Sequence, residues 1–228
     1  MKYQAGIYEK FIKRILDIVF CTLGIVVLSP VFLVVAIGIK LSSPGPILYH
    51  SKRAGKNKKP FEFYKFRSMH MTDCDKQHFV ADEERLFTFG KFIRRLKLDE
   101  LPQLINVIKG DMSIVGPRPM VASAVDVFYS GRYEPVSWIR PGLTSAASLY
   151  DYTIGDKYTD NDAYTKEVVP VKLELELIYF QKQKFSYDVS LVCRTVVTII
   201  QVLLGKTNFA DQPELNTARK QLQDTKVR

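Results

Sequence analysis

Residues Ile15–Ile39 read ILDIVFCTLGIVVLSPVFLVVAIGI, an almost unbroken apolar run near the N-terminus. At about 1.5 Å per residue the run makes a helix of roughly 35–38 Å, long enough to cross a bilayer core. It is too long for a signal-peptide core, and no small-residue cleavage site follows it. Two features argue against a simple crossing. Pro30 follows Ser29 a little past the middle and removes a helical N–H, so a kink is expected there. The two pieces are then about 22 Å and about 15 Å long, each too short to span alone. Basic residues also lie on both flanks: Lys10, Lys13 and Arg14 before the run, and Lys40, Lys52, Arg53, Lys56, Lys58 and Lys59 after it. Both ends therefore favour the cytoplasmic face. A broken helix that enters and leaves by one face satisfies both observations; the rival is a kinked spanning helix. Asp17, inside the run, needs a partner, and the neighbouring Lys or Arg side chains are the expected ones.

Outside this run the chain has globular composition. Of 228 residues, 46% are hydrophobic and 25% charged, which excludes a disordered or polytopic chain. The length allows one domain with a core plus an appendage. The net charge of +9 suits anionic partners such as acidic headgroups or phosphorylated substrates. No zinc-finger spacing or RNA-binding aromatic motif is present, so nucleic acid is not expected. Cys21, Cys74 and Cys193 are scattered and odd in number, which excludes a disulfide framework and fits a reducing compartment. His50, His70 and His78 have no ligand spacing.

Working outward, the turn cluster Ser42-Ser43-Pro44-Gly45-Pro46 ends the apolar helix. Ile47–Tyr49 and Phe61–Phe66 are expected as short extended pieces around the basic turn Gly55–Lys59. Thr72–Glu84 is polar, a loop or surface helix, and Phe89–Leu96 is helical. Leu101, Leu104, Ile105 and Ile108 repeat at i, i+3, i+4, i+7 and predict a helix with one buried face. Asp99 is expected as its N-cap, with Pro102 in the first turn and Gly110 at the end. Val171–Gln183 is helical by composition. Tyr187–Leu204 is an apolar-faced helix, interfacial or core, interrupted by Asp188, Ser190 and Arg194. The tail after Lys206 is polar and expected to be loose.

The chemistry-bearing residues centre on Asp99-Glu100. A helix start favours anions, which would keep Asp99 ionised and create a phosphate site around it. Arg94 and Arg95 lie just upstream and are placed to grip phosphate oxygens. A carboxylate nucleophile, an adjacent carboxylate for proton work and guanidinium clamps suit phosphoryl transfer. Asp is also a favoured N-cap, so the local pattern alone describes a structural helix start before it describes a nucleophile. Gly116-Pro117-Arg118-Pro119 is either a stiff loop with a solvated Arg or a rigid holder that aims Arg118 at a nucleotide or diphosphate. Lys65 and Arg67, in Lys65-Phe66-Arg67-Ser68-Met69, are either phosphate contacts or basic groups over anionic lipid.

Taken in order, these segments resemble one family. They are Lys13-Arg14 with Asp17, Ser29-Pro30, Ser43-Pro44-Gly45-Pro46, Arg53-Ala54-Gly55 and Phe63–Met69. They continue with Leu98–Leu104, Gly110–Pro119 and Arg140-Pro141-Gly142-Leu143-Thr144. From about Phe11 to Gly205 the chain is similar to the bacterial sugar transferases, the monotopic phosphoglycosyl transferases, most specifically over Leu98–Pro119. The resemblance implies an α/β fold, mostly helical with a small sheet. Residues 1–45 would form a re-entrant membrane anchor that includes Lys13, Arg14, Asp17, Ser29 and Pro30. Residues 46–206 would form a cytoplasmic catalytic domain with interfacial helices, and 207–228 a polar tail. It places the chain on the cytoplasmic face of the bacterial plasma membrane. It implies transfer of a sugar-1-phosphate from a UDP-sugar to polyprenyl phosphate, releasing UMP, with Mg²⁺ as cofactor. Asp99 matches the nucleophile, which would form a covalent phosphosugar intermediate, and is the candidate metal ligand. Glu100 matches its partner for proton transfer or metal positioning. Arg94 matches a phosphate contact, and Pro117, Arg118 and Pro119 match the loop associated with the uridine nucleotide.

Three segments depart from the family pattern: Thr144-Ser145-Ala146-Ala147-Ser148, Gly131–Trp138 and Lys184–Asp188. They leave the reaction type intact and the sugar open. Other mechanisms stay open too: a direct ternary complex in which Glu100 activates the lipid phosphate, or a non-catalytic membrane scaffold. The sequence leaves a homo-oligomer open.

Overall fold

The computed structural model describes residues 6–70 and 85–226. Thr72–Glu84, Cys74 and His78 lie outside the described residues. The elements are helices around two small sheets, as the α/β expectation has it.

A π-helical turn, Tyr8–Ile12, runs directly into helix α1, Lys13–Ser42. Helical conformation continues through Pro30, so the expected division leaves no gap in the helix. Pro30 cannot donate to the carbonyl of Val26, and the Ser29 hydroxyl donates to that carbonyl instead, at 2.8 Å. The serine thus satisfies the acceptor that the proline orphans.

One stripe of α1 is buried along its length: Lys13, Asp17, Cys21, Val35 and Ile39. Ile15, Val19, Leu23, Val26, Val27, Leu33, Val34 and Ile37 leave the opposite face apolar and exposed. The buried polar residues of the stripe are not paired with each other, contrary to expectation. Asp17 accepts from the Ser113 hydroxyl at 2.7 Å and the Ile114 N–H at 3.0 Å. Lys13 pairs with Asp188, which also accepts from Tyr8 Oη at 2.6 Å and Tyr179 Oη at 2.9 Å. Arg14 donates to the carbonyls of Val107 and Ile108, the latter at 2.7 Å. Lys13, Arg14 and Asp17 therefore fasten α1 to the globular body rather than facing lipid. Sequence could not show this, because every partner lies more than 90 residues away in the chain.

Strands β1, Leu48–Ala54, and β2, Pro60–Phe66, form an antiparallel hairpin with Leu48 opposite Phe66 and Ala54 opposite Pro60. β1 is longer than the expected Ile47–Tyr49. Helix α2, Thr88–Arg95, packs on the C-terminal half of α1 through a cluster of Val35, Ile39, Phe66, Phe87 and Ile93. Helix α3, Gln103–Lys109, packs on the N-terminal half through Cys21, Phe63, Val107 and Met112. Buried Asn106 ties α3 to β2, donating to the Glu62 carbonyl at 2.6 Å and accepting from the Tyr64 N–H at 3.1 Å. Gly110, at φ +96°, closes α3 as expected.

Strand β3, Ser113–Val115, pairs in parallel with β4, Gly142–Thr144. Gly116 and Gly142 allow the approach: a Cβ on Gly142 would lie 2.1 Å from the Gly116 nitrogen. Short helix α4, Val125–Phe128, and the 3₁₀ turn Gly131–Trp138 join the two strands. Helix α5, Ala146–Thr153, is capped by Ser145, whose hydroxyl accepts from the Ser148 N–H. That gives the variant motif after Thr144 a structural role. Helix α6, Asn161–Ala163, leads through the π-helical turn Tyr164–Val168 into α7, Val169–Lys182. Then come α8, Phe185–Leu203, and α9, Leu215–Lys226.

The main core joins α5, α7, α8 and α9 around Leu175, Ile178, Tyr179 and Leu191. The expected loose tail is corrected here. Leu215, Ala218 and Leu222 bring one face of α9 onto that core, and Arg194 holds Glu214 through both carboxylate oxygens at 2.9 and 2.8 Å. The signal was an i, i+3, i+7 spacing submerged in a polar average. α8 leaves Val189, Val196, Val197, Ile200 and Leu203 exposed. By length and apolarity both Tyr8–Ser42 and α8 could cross a membrane.

Candidate active site

The turn between α2 and α3 carries the two carboxylates. Lys97 takes a left-handed conformation, φ 55°, and Leu98–Glu100 forms a 3₁₀ turn. α3 begins only at Gln103, so Asp99 is not its N-cap, and no side-chain cap is made at either helix start. The expectation that a helix terminus keeps Asp99 charged is corrected accordingly. Asp99 is 4% exposed. Burial pushes its carboxyl up, Lys65 acts against that shift, and Glu100 reinforces it.

Lys65 of β2 is the central cation. Its ammonium lies 2.9 Å from Glu100 Oε1 and 3.6 Å from Asp99 Oδ2. Arg118 Nη2 reaches to 3.7 Å from the same Glu100 oxygen. Burial raises the Glu100 carboxyl, but Lys65, Arg118 and Lys97 together outweigh it and hold the group well below the usual carboxylate range. The adjacent carboxylates are thereby driven in opposite directions. Among the described residues, Asp99 Oδ1 and Gln103 Nε2 are buried without a hydrogen-bond partner, an acceptor and a donor left open on one turn-and-helix unit.

Arg94 is half-buried in the last turn of α2, and its field acts on Asp99. Pro117 and Pro119 are buried, while the Arg118 side chain stays 37% exposed beside Glu100. The structure thus brings Lys65, Arg94, Asp99, Glu100 and Arg118 together.

Arg67 does not join them. It is 2% exposed, and its guanidinium donates to the carbonyls of Ser43, Pro44 and Pro46 at 2.7, 2.9 and 2.7 Å and to Ser43 Oγ at 3.0 Å. It clamps the turn after α1, so the expected substrate or lipid contact is corrected to a structural one. Ser29 and Pro30 are exposed on the apolar face of α1.

Several charged groups beside the site have no site role legible in the sequence. Lys97 lends positive charge to both carboxylates. Arg53, from the quoted Arg53-Ala54-Gly55 motif, lies where burial, Arg118 and Glu100 all act on it. Asp151 of α5 pairs with Lys172 of α7 at 2.9 Å and feels Arg118.

Among the described residues, no three His, Cys, Asp or Glu side chains are grouped to hold a metal. A single carboxylate with substrate phosphates is, however, a common way to bind Mg²⁺. The Asp99 carboxylate, its donors incomplete, can lend such a ligand.

The arrangement can therefore present one carboxylate oxygen to an electrophile while cations face its charged neighbour. Comparisons with known proteins give the family. The chain is 36% identical over 193 residues to a UDP-glucose:undecaprenyl-phosphate glucose-1-phosphate transferase of Caulobacter vibrioides, covering 82% of this chain and 69% of that protein. A protein of the same description from Escherichia coli is 34% identical over 196 residues, covering 82% and 40%. A UDP-N-acetylgalactosamine-undecaprenyl-phosphate N-acetylgalactosaminephosphotransferase of Aeromonas hydrophila is 36% identical over 200 residues, covering 83% and 44%. The chain thus spans under half the length of two of these relatives. The profile described as bacterial sugar transferase matches residues 8–202, which includes every residue of the site, and the chain belongs to that family.

Proposed function

We propose that the chain transfers a sugar-1-phosphate from a UDP-sugar to undecaprenyl phosphate at the cytoplasmic face of the membrane. The observation that carries this reading is the unpartnered Asp99 oxygen beside Glu100, under Lys65 and Arg118. Asp99 attacks the sugar-bearing phosphorus, a new oxygen–phosphorus bond forms, and the bond to UMP breaks. An oxygen of the lipid phosphate then attacks the same phosphorus and frees Asp99, giving the polyprenyl-diphospho-sugar. Lys65, Arg94 and Arg118 bind and orient the phosphates, which lowers the cost of bringing two anions together. Glu100 is the neighbour for proton transfer to or from the reacting oxygens. Mg²⁺, when bound through Asp99, supplies neutralising charge to the diphosphate.

The fold supports a monotopic seat. Asp17 and Cys21 at one end of α1, and Val35 and Ile39 at the other, pack on the same globular body. A helix held to that body over about 33 Å favours entry and exit by one face. Its opposite face, with the exposed apolar faces of α8, Phe92 and Ile105, suits lipid. Phe92 and Ile105 sit on the two helices that flank the Asp99 turn, which supports a seat for that turn near the headgroup plane. Lys10→Cys and Lys52→Cys, in a background without native cysteines, should both be labelled from the cytoplasmic side only; labelling from opposite sides would reject the monotopic seat.

The direct test supplies purified protein in lipid with a panel of UDP-sugars and undecaprenyl phosphate and follows UMP. Release with at least one sugar, dependent on Asp99, supports the reading; no release with any sugar rejects it. UMP release without the lipid acceptor separates the covalent route from a ternary complex.

A further inference from the structure

The loop Gly116–Pro119 is held from beneath by one helix. The Arg118 N–H donates to Glu176 Oε1 at 3.1 Å. Tyr129 Oη donates to Glu176 Oε2 at 2.7 Å and lies 3.3 Å from the Arg118 carbonyl. One turn along α7, Tyr179 Oη lies 3.1 Å from the Val115 carbonyl. Glu176 is 3% exposed, so no solvent substitutes for these bonds. Both its oxygens are engaged, and the backbone of Arg118 is engaged on both sides. The Arg118 guanidinium stays partly exposed and lies beside Glu100.

We propose that Glu176 is a positioning residue: its carboxylate fixes the backbone of Arg118 so that the guanidinium meets the UDP-sugar diphosphate, and it sets the KM for that substrate. The proposal rests on the function argued above, in which Arg118 takes that diphosphate. Glu176 does not touch the substrate and acts through the loop. Buried carboxylates on a core helix usually need a full set of donors, and here the donors belong to the loop that carries the site. The groups facing Glu176 are Tyr129 at the end of α4, Arg118 of the loop and Lys172 of its own helix. Lys172 is in turn drawn to Asp151 of α5. Glu174, two residues away, is engaged elsewhere by Arg132 and Tyr133.

The environment adds a pH dependence. Burial pushes the Glu176 carboxyl up to about 7, against the Tyr129 hydrogen bond, Lys172 and Arg118. Protonation turns one acceptor oxygen into a donor and costs the loop one of its bonds. The KM for UDP-sugar should therefore rise by about fivefold as pH falls from 8 to 6, the effect of losing one buried hydrogen bond. The effect falls on KM rather than on kcat.

The test measures KM and kcat for UDP-sugar between pH 6 and 8, at saturating lipid acceptor, with thermal melting to confirm folding. In Glu176→Gln the amide oxygen still accepts from the Arg118 N–H but nothing titrates, so the KM should be flat across the range. Tyr129→Phe removes a bond that favours the charged form, so the rise in KM should begin at higher pH. A wild-type KM that is flat with pH overturns the proposal while leaving the transferase reading standing. So does a Glu176→Gln profile that matches the wild type, or a loss confined to kcat. If Glu176→Gln does not fold, a Tyr129→Phe profile that stays in place overturns it instead. No UMP release from wild-type protein with any UDP-sugar overturns both readings.

Discussion

Two carboxylates, Asp17 and Asp99, are equally buried at 4% exposure, yet their surroundings are opposite. At the junction of α1 and β3, Asp17 has a donor on each oxygen, Ser113 Oγ on one and the Ile114 N–H on the other. On the turn before α3, Asp99 has Lys65 at 3.6 Å from one oxygen and, among the described residues, no hydrogen-bond donor on the other. A complete set of donors makes a buried carboxylate a structural rivet. An incomplete set leaves free energy stored in the folded protein that a ligand can recover. Arginine repeats the contrast: Arg67 spends its donors on backbone carbonyls, whereas the Arg118 side chain is partly exposed beside Glu100.

The contrast breaks if the two aspartates respond alike. Asp99→Asn should lower sugar-phosphate transfer by about 10⁴-fold, the scale of removing a nucleophile, with membrane binding and thermal midpoint near wild type. Asp17→Ala should do the reverse. It strands a buried hydroxyl and an N–H, so unfolding free energy should fall by about 3 kcal/mol in denaturant titration, with activity per folded molecule retained. Arg67→Lys sharpens the arginine half of the comparison. It should cost about 1–2 kcal/mol of stability, because three mobile donors replace a planar fork, and leave the KM for UDP-sugar unchanged. Ser29→Ala is the smallest expected effect. It leaves the Val26 carbonyl without a donor, which water repairs in detergent but lipid does not. A loss of about 1 kcal/mol should appear in bilayers and shrink in detergent.

What the sequence reveals about this molecule follows from what is local. The helices α1, α2, α3, α7 and α8 are legible because their apolar spacing is intrinsic to each segment. The pairing of β3 with β4 is not, because it depends on Gly116 meeting Gly142 from a distant part of the chain. The start of α3 is misplaced by a positive φ at Lys97, a residue type that gives no warning of one. At the site, Lys65, Asp99 with Glu100, and Arg118 stand out in three separate motifs whose residue chemistry is local, and the structure brings them together. Arg67 is misjudged from the motif it shares with Lys65, because its basic character says nothing about which carbonyls it meets. Glu176 and Asn106 are invisible for the same reason: their partners are loops and strands far away in the chain.

The central claim is that the unpartnered oxygen of Asp99 is the reacting atom. Intact-protein mass measurement after incubation with a UDP-sugar, without lipid acceptor, tests it most directly. The account predicts a gain of one sugar phosphate, mapped to Asp99, in the wild type and none in Asp99→Asn. A gain at another residue, or an undiminished gain in the variant, would contradict it.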